Sequence, residues 1–473
     1  MKRILPQFLI LAYYFPVSFT VPQYYALLIF SFLVYWLIPT QLIRRRFLVV
    51  VSFFFYALWN YRFFSLLLIS ASTDYLMAKL IAKREEPRLR KLFLAITIAV
   101  NFGLLGYFKY FNLLVDSVNF AAHGVGLGGF NVATKLILPL GISFYTFHTV
   151  SYTIDVYNKK VDPITNFWDY FLFVCYFPQL VAGPIARVNL LYPQFFQKKE
   201  LEFQRTVDAI LMICFGVMMK LLIADTLGAV TDFLYAKSEL SAALGWAAVF
   251  SFGYQIYVDF WSYTLIARGS SRLFGIELNP NFEQPYLATS PSEFWRRWHM
   301  SLSSWFRDYV YIPLGGNRVH AVRNLLFTMT LAGLWHGSSI LFVLWGFYHG
   351  VLLVISRKFP LPKPVSFVAT FLCVNLGWIL FRSQSLEQAG KMFRSLVQFT
   401  APDPTLRTPI FLTVVAIGIT VSADLWFQFH SRKFFVALPG HFNYAKLSVA
   451  SALLMLAVYL GESSATPFIY FNF

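Results

Sequence analysis

His336 is an ionisable ring inside a run, residues 325–356, that contains no Asp, Glu, Lys or Arg. An imidazole kept neutral among apolar groups has one ring nitrogen able to accept a proton, which is what activating a hydroxyl requires. In lipid such a group costs several kcal/mol unless it has a partner or a task. The plain alternative to a base is a hydrogen bond between helices. At ~1.5 Å per residue the run is ~48 Å long, more than one ~30 Å crossing, so it is expected to fold as two segments that turn near Gly337-Ser338-Ser339. Gly333 and Gly337 would then let the backbone approach a ligand closely. His349, toward the far end of its segment, and His148, between Phe147 and Thr149, read as hydrogen-bonding residues.

His299 lies upstream in a stretch, residues 282–323, where aromatic, polar and basic residues interleave. Read as one helix, the stretch puts Phe294, Trp298, Leu302, Trp305 and Tyr309 on one line and Arg296, His299, Ser303 and Arg307 on another. That is the pattern of an interfacial amphipathic helix. On it His299 could orient a donor or polarise a carbonyl, or could simply be solvated. Arg296, Arg297 and Arg307 could bind a phosphate, an acidic carrier protein or lipid headgroups. Pro313 and the paired Gly315-Gly316 stop the helix before Asn317. Asp259 is the one charged residue between Leu244 and Ala267, so pairing or function is expected of it. Asp225, five residues after Lys220, is expected to pair with it, whereas Asp74 and Asp424 suggest no role.

The elements that position these residues must be membrane helices. Of the 473 residues, 58% are hydrophobic, 19% aromatic and only 13% charged. Residues 23–39, 47–60, 92–108, 136–154, 245–267 and 447–460 are long apolar runs separated by short charged or proline-containing segments, and the ~20-residue ruler gives roughly ten to thirteen crossings. The formal net charge of +17 is dispersed in short clusters, at Arg44–Arg46, residues 83–91, Lys159/Lys160, Lys198/Lys199 and Arg268/Arg272. No continuous basic stripe points to nucleic acid. The positive-inside rule places these loops in the cytoplasm and residues 123–135 on the other side.

Pro6 and Pro16 interrupt the apolar stretch after Lys2-Arg3 and no small-residue cleavage site follows, so a retained first segment is expected. Cys175, Cys214 and Cys373 are odd in number and widely spaced, which supports packing roles rather than a disulfide framework or a zinc site. No repeat or long soluble linker divides the chain, so residues 1–473 read as one helical membrane domain, with the motif-bearing core at about 136–356. Residues 171–187 are apolar but broken by Pro178, Gly183 and Pro184. Broken backbone at membrane depth needs protein or a water-filled cavity to satisfy it, so Pro178, Gln179, Gly183 and Pro184 are expected to line a cavity. No P-loop, dinucleotide fingerprint, HExxH, GxSxG or metal-ligand spacing is present.

Three long motifs carry a family resemblance. They are Ser292-Glu-Phe-Trp-Arg-Arg-Trp-His299 continuing through Asp308 to Gly-Gly-Asn317-Arg318, then Ala332-Gly-Leu-Trp335-His336-Gly337, and Trp345-Gly-Phe-Tyr-His349-Gly350. With weaker matches at Phe177-Pro-Gln-Leu-Val-Ala-Gly-Pro184 and at residues 101–110, 138–144 and 468–473, the chain resembles the membrane-bound O-acyltransferases, in their bacterial alginate O-acetyltransferase-like branch. The resemblance implies an all-α polytopic membrane protein of the bacterial cytoplasmic membrane. Its helices would form a ring around a thin centre with a tunnel, supplemented by re-entrant and interfacial helices.

The resemblance also implies chemistry. His336 and His299 match the family's two histidines. An acyl group, most simply acetyl, would arrive on a cytoplasmic thioester of coenzyme A or acyl carrier protein, with no permanently bound cofactor. It would leave toward a polysaccharide hydroxyl outside, in relatives often through an esterase-like partner protein. The tunnel candidates become Arg296, Arg297, Trp298, Ser303, Arg307, Asp308, Asn317, Trp335, Gly337 and the 178–184 segment, with Asp259 nearby. Trp261-Ser262 stand where relatives carry Ser-Gly, and Leu265 replaces an Asp, so either Asp259 serves alone or the cavity is differently shaped. Peptidoglycan or teichoic-acid acylation would use the same chemistry. A lipid-linked sugar flippase also needs a cavity and basic loops, but would call for repeat symmetry and charges along a path that this sequence lacks.

Overall fold

A computed structural model of the chain describes residues 21–124, 138–180, 183–400 and 407–434, with isolated positions at 19, 136, 448–449, 451–452 and 468–469. The expected first segment after Lys2-Arg3, most of the 123–135 loop and most of the 447–460 crossing lie outside them. Among the described residues every regular element is helical. They divide into two compact units, residues 1–201 with 270–278, and residues 202–269 with 279–473.

The first unit contains α1 (Pro22–Leu37), α2 (Gln41–Asn60), α3 (Phe64–Lys83), α4 (Pro87–Gly124), α5 (Ile142–Tyr157) and α6 (Phe167–Cys175). Their starts carry chemical signals. Thr40 accepts from Ile43 N, and Asn166 accepts from Trp168 N and Asp169 N, satisfying donors that a helix start leaves open. Asp74 is wholly buried between α3, α4 and α5, where it accepts from Asn101 Nδ2 at 2.7 Å and Thr153 Oγ1 at 2.9 Å. A buried carboxyl is tolerated because these bonds replace its water, which supplies the role the sequence did not suggest.

Within the broken 171–187 segment, α6 ends at Cys175 and Phe177–Leu180 forms one short turn. Gln179 Nε2 donates to Phe173 O at 2.9 Å, and Ala186 N–H donates to His148 Nε2 at 2.9 Å. His148 is therefore a hydrogen-bonding residue, as expected. Gly141, at φ 69°, passes so close to Leu180 that a Cβ would sit 2.6 Å from its carbonyl oxygen, so only glycine fits.

The second unit contains α7 (Phe203–Met218), α8 (Asp225–Tyr235), most of α9 (Ala242–Arg272), α10 (Pro291–Arg297), α11 (Met300–Phe306), α12 (Ala321–His336), α13 (Ile340–Lys358), α14 (Lys363–Arg382), α15 (Leu386–Ser395) and α16 (Arg407–Phe434). A π turn, Met219–Ala224, joins α7 to α8.

Six stretches among the described residues are long and apolar enough to cross a membrane: Tyr61–Lys83, Pro87–Asn119, Phe203–Tyr235, Ile340–Lys358, Lys363–Arg382 and Arg407–Gln428. That is fewer than the expected ten to thirteen. α5 and α9 are buried along nearly their whole lengths, so their Ser, Thr, Gln and Asp side chains face protein rather than lipid.

The two ends of the second unit are fixed by hydrogen bonds. At one end Arg357 Nη1 donates to Asn317 Oδ1 at 3.0 Å and Ser366 Oγ to Thr289 O at 2.6 Å. At the other, Arg382 Nη2 pairs with Asp232 Oδ1 at 2.6 Å and Ala242 N–H donates to Gln398 O at 2.8 Å.

Candidate active site

The charge-free run folds as two helices, α12 ending at His336 and α13 starting at Ile340, as its length requires. Gly333 and Gly346 let the pair pack backbone to backbone. A Cβ on Gly333 would lie 2.2 Å from Phe342 O, and one on Gly346 would lie 2.3 Å from Met329 O. The ring of Phe342 fills the space beside Gly337, where a Cβ would meet it at 2.1 Å. The glycines thus serve helix packing, and the expected open approach of a ligand at Gly333 and Gly337 is replaced by protein.

His336 is 4% exposed and lies edge-on to aromatic rings, with centroid distances of 4.9 Å to Trp335, 5.1 Å to Trp345 and 5.2 Å to Phe381. It lines a cavity of about 390 Å³, together with Trp295, Ser303, Met329 and Ala332. The same cavity is lined at the other extreme by Arg296, Arg307, Asn317 and Arg357, the end of the unit where α12 begins and α13 finishes. Asn317 Oδ1 accepts from Tyr311 Oη at 2.7 Å and from Arg357, which fixes the rim. Arg307 is held by Asp308 at 2.7 Å. The backbone under the rim is tied by Asn324, whose Nδ2 donates to Leu314 O and Val319 O at 2.9 and 2.6 Å.

The 294–309 stretch is not one helix. It breaks at His299, which adopts φ 41°, so α10 and α11 are separate and the expected polar line does not form. Asn281 holds the break by accepting from Met300 N at 2.9 Å and Ser301 N at 3.3 Å. Left-handed backbone at a non-glycine residue costs about 1–3 kcal/mol and persists only where the surroundings impose it. His299 is 1% exposed rather than solvated, edge-on to Phe260 at 4.6 Å and 6.3 Å from Trp335. Burial pushes its pKa down to about 3, so its imidazole is neutral at neutral pH. Trp335 lies against both histidines.

Other expected tunnel residues have structural duties. Ser290 caps α10 by accepting from Glu293 N. Glu293 in turn accepts from Thr289 N and Thr289 Oγ1, a reciprocal cap. Arg297 donates to Glu293 Oε1 at 2.7 Å and so braces this cap. Burial alone would raise the Glu293 pKa, but the Thr289 and Arg297 hydrogen bonds overcome it and hold the carboxyl below its usual range. Trp298 is core, packed on Phe294, Tyr257 and Trp378.

Asp259 binds Lys220 Nζ at 2.7 Å and accepts Ile469 N–H at 2.7 Å, while Asp225 binds the same Lys220 at 2.7 Å. All three side chains are buried, so the expected Lys220–Asp225 pair is part of a triad. Asp424 accepts from Tyr257 Oη at 2.7 Å. Pro178, Gln179, Gly183 and Pro184 belong to the first unit, and the histidines to the second.

His349 lies in mid-α13, not near its end. It is fully buried among Trp295, Trp345 and Trp378, and neither ring nitrogen has a hydrogen-bond partner among the described residues. Arg357 was not singled out from the sequence. The signal existed: if residues 325–356 form a hairpin, the cations flanking the run, Arg323 and Arg357, must meet at one end.

The second unit thus sets a buried histidine against a cavity that three arginines also line, among helices apolar enough to cross a membrane. Residues 53–359 match the membrane-bound O-acyltransferase family, and the chain belongs to it: it is an O-acyltransferase. Its relatives include the probable alginate O-acetylase AlgI of Pseudomonas putida, 34% identical over 92% of this chain and 95% of that protein. The protein of the same description from Pseudomonas aeruginosa is 37% identical over 84% of this chain and 78% of its own length. The peptidoglycan O-acetyltransferase of Helicobacter pylori is 30% identical over 97% and 98%.

Proposed function

We propose that this protein transfers an acyl group, most simply acetyl, from a cytoplasmic thioester through the cavity to a hydroxyl on the far side of a bacterial cytoplasmic membrane. The acceptor is a polysaccharide, or a partner protein of esterase-like chemistry that passes the group on. The observation that carries the reading is the position of His336 at the inner end of a cavity whose mouth holds Arg296, Arg307 and Arg357. The mouth shares its end of the unit with Arg318, Arg323, Lys358 and Lys363, and the positive-inside rule assigns that end to the cytoplasm.

The donor is a thioester of coenzyme A or of an acyl carrier protein, whose phosphates suit the arginine rim. In this mechanism His336 removes the acceptor hydroxyl proton as the oxygen attacks the thioester carbonyl. The C–S bond then breaks, and the thiolate leaves with the proton that His336 returns. A direct transfer needs no covalent enzyme intermediate. His299, neutral and buried beyond Trp335, supports the wall against which the donor lies. Among relatives, the names alginate O-acetylase and peptidoglycan O-acetyltransferase favour a glycan acceptor over transport of a lipid-linked sugar.

The test is acetyl analysis of envelope polysaccharides in a deletion strain complemented with wild type or His336→Ala. Complementation by wild type alone is expected. Acetylation restored by a well-expressed His336→Ala protein would refute the assignment.

A further inference from the structure

A groove of about 300 Å³ runs between α13 and α14 of the second unit, against the start of α10. Each helix contributes one face to its walls: Leu352, Ile355 and Phe359 from α13, and Ser366, Ala369 and Cys373 from α14. These residues recur at steps of three and four, so each set lies on one line of its helix. Seven residue steps on either side make the groove ~10 Å long. Both helices are long and apolar enough to cross a membrane, and residues 359–362 join them at the groove's mouth. Ile355, Phe359, Leu361 and Val365 are each about half exposed or more, which gives the mouth an apolar rim suited to lipid rather than to water.

The dimensions decide what fits. A helix of that length, ~10 Å across, would occupy roughly 800 Å³. A helical segment of another protein is therefore too thick for the groove, whereas a single hydrocarbon chain is not. A length of ~10 Å also stays within one leaflet, whose share of a ~30 Å hydrocarbon core is ~15 Å.

The charge at the mouth names the headgroup. Residues 340–382 contain Arg357, Lys358, Lys363 and Arg382 and no Asp or Glu. Arg357 is bound to Asn317, and Arg382, at the far end of α14, to Asp232. Lys358 lies over the Phe359 ring at 5.9 Å, and neither it nor Lys363 has a carboxylate partner among the described residues. α14 starts at Lys363 with no side chain capping it, so its first N–H groups add positive potential at the same place. We propose that this groove holds one acyl chain of an anionic phospholipid, with the lipid phosphate between Lys358 and Lys363. The site is separate from the arginine-lined cavity, and its occupancy does not depend on the acyl-transfer reading. Ser366 on the groove wall donates to Thr289 O at 2.6 Å, and Thr289, Ser290 and Pro291 close one side, so the lipid also braces the start of α10.

The experiment uses the full-length protein in detergent, with phosphatidylglycerol and phosphatidylcholine of identical chains as probes and native mass spectrometry as the readout. Wild type is expected to keep one phosphatidylglycerol through delipidation and to bind it roughly tenfold more tightly than phosphatidylcholine. Adding phosphatidylglycerol back should raise the Tm of delipidated wild type. Lys358→Gln/Lys363→Gln should lose about tenfold in affinity for phosphatidylglycerol and so bind the two lipids alike. Ala369→Phe puts a ring where the chain lies and should lose the retained lipid and the gain in Tm. Lys159→Gln/Lys160→Gln removes the same charge from another loop and should keep both.

Equal retention of the two lipids by wild type would overturn the proposal. So would phosphatidylglycerol held undiminished by the Lys358→Gln/Lys363→Gln variant. A loss in Lys159→Gln/Lys160→Gln as large as that in Lys358→Gln/Lys363→Gln would show attraction to net charge instead of a site, and would overturn it too.

Discussion

Gly333→Ala tests how tightly the α12–α13 hairpin positions His336, the proposed base. The new Cβ would stand 2.2 Å from Phe342 O, whereas ordinary contacts begin at 3.4 Å. The two helices must therefore separate locally by 3.4 − 2.2 = 1.2 Å, or rotate to the same effect. Gly333 is one turn before His336, so the displacement reaches the imidazole nearly undiminished. A misplacement of about 1 Å at a reacting group costs on the order of a hundredfold in rate, and forcing a methyl into a packed interior costs about 1–3 kcal/mol in stability. The expected result is a folded protein with a modestly lowered Tm and kcat about a hundredfold down, measured as transfer of labelled acetyl from a thioester donor. Gly106→Ala is the control, because a Cβ there meets nothing within 4 Å. It should match wild type in rate. Full activity and an unchanged Tm in Gly333→Ala would refute the argument that close packing of this hairpin sets the position of His336.

Lys220→Met leaves two buried carboxylates without their cation and should destabilise by about 3–5 kcal/mol; adding Asp225→Asn and Asp259→Asn should recover most of this in thermal melts, and a silent Lys220→Met would contradict the triad. Arg357→Ala should raise KM for the thioester donor roughly tenfold, about 1.4 kcal/mol, with kcat little changed; an effect on kcat alone would remove the rim from donor binding. His299 is held at a pKa of about 3 against an ordinary 6.5. Below pH 6.5 the unfolded chain takes up a proton that the folded one does not, so acid destabilises the fold through this residue. Relative to His299→Gln, wild type should lose on the order of 2 kcal/mol between pH 7 and pH 5. Parallel stability curves for the two proteins would show that His299 is not buried neutral.

The hairpin and its histidine were legible because lipid simplifies the physics. A charge-free run longer than one crossing must turn, and glycines and serines mark where. The break at His299 was not legible. Residues 294–309 have good helical periodicity, and what defeats it is Asn281, some 18 positions upstream, whose carbonyl and side chain accept from the backbone just after the break. Periodicity reports local preference and cannot register a distant partner. The same limit hid the duty of Arg297, which faces the reciprocal cap at Glu293 rather than a ligand, and the orphaned nitrogens of His349, whose setting needs Trp295, Trp345 and Trp378 from three separate helices.

The placement of His336 also bears on why a base would be set at a helix end. From Ala321 to His336 the chain climbs fifteen residue steps, about 22 Å at ~1.5 Å per step. That is short of the ~30 Å hydrocarbon thickness. On the proposed reading, a donor entering by the rim would deliver its thioester most of the way across while its carrier stayed on the cytoplasmic side. On that reading the donor's carrier would not have to enter lipid, and the acyl group would pass beside the histidine. On this arrangement, the apolar rings of Trp335, Trp345 and Phe381 around His336 are what keep water from intercepting the thioester. Phe381→Ala should accordingly raise thioester hydrolysis relative to transfer, read as free acetate against acetylated acceptor. An unchanged ratio would mean that water is excluded elsewhere.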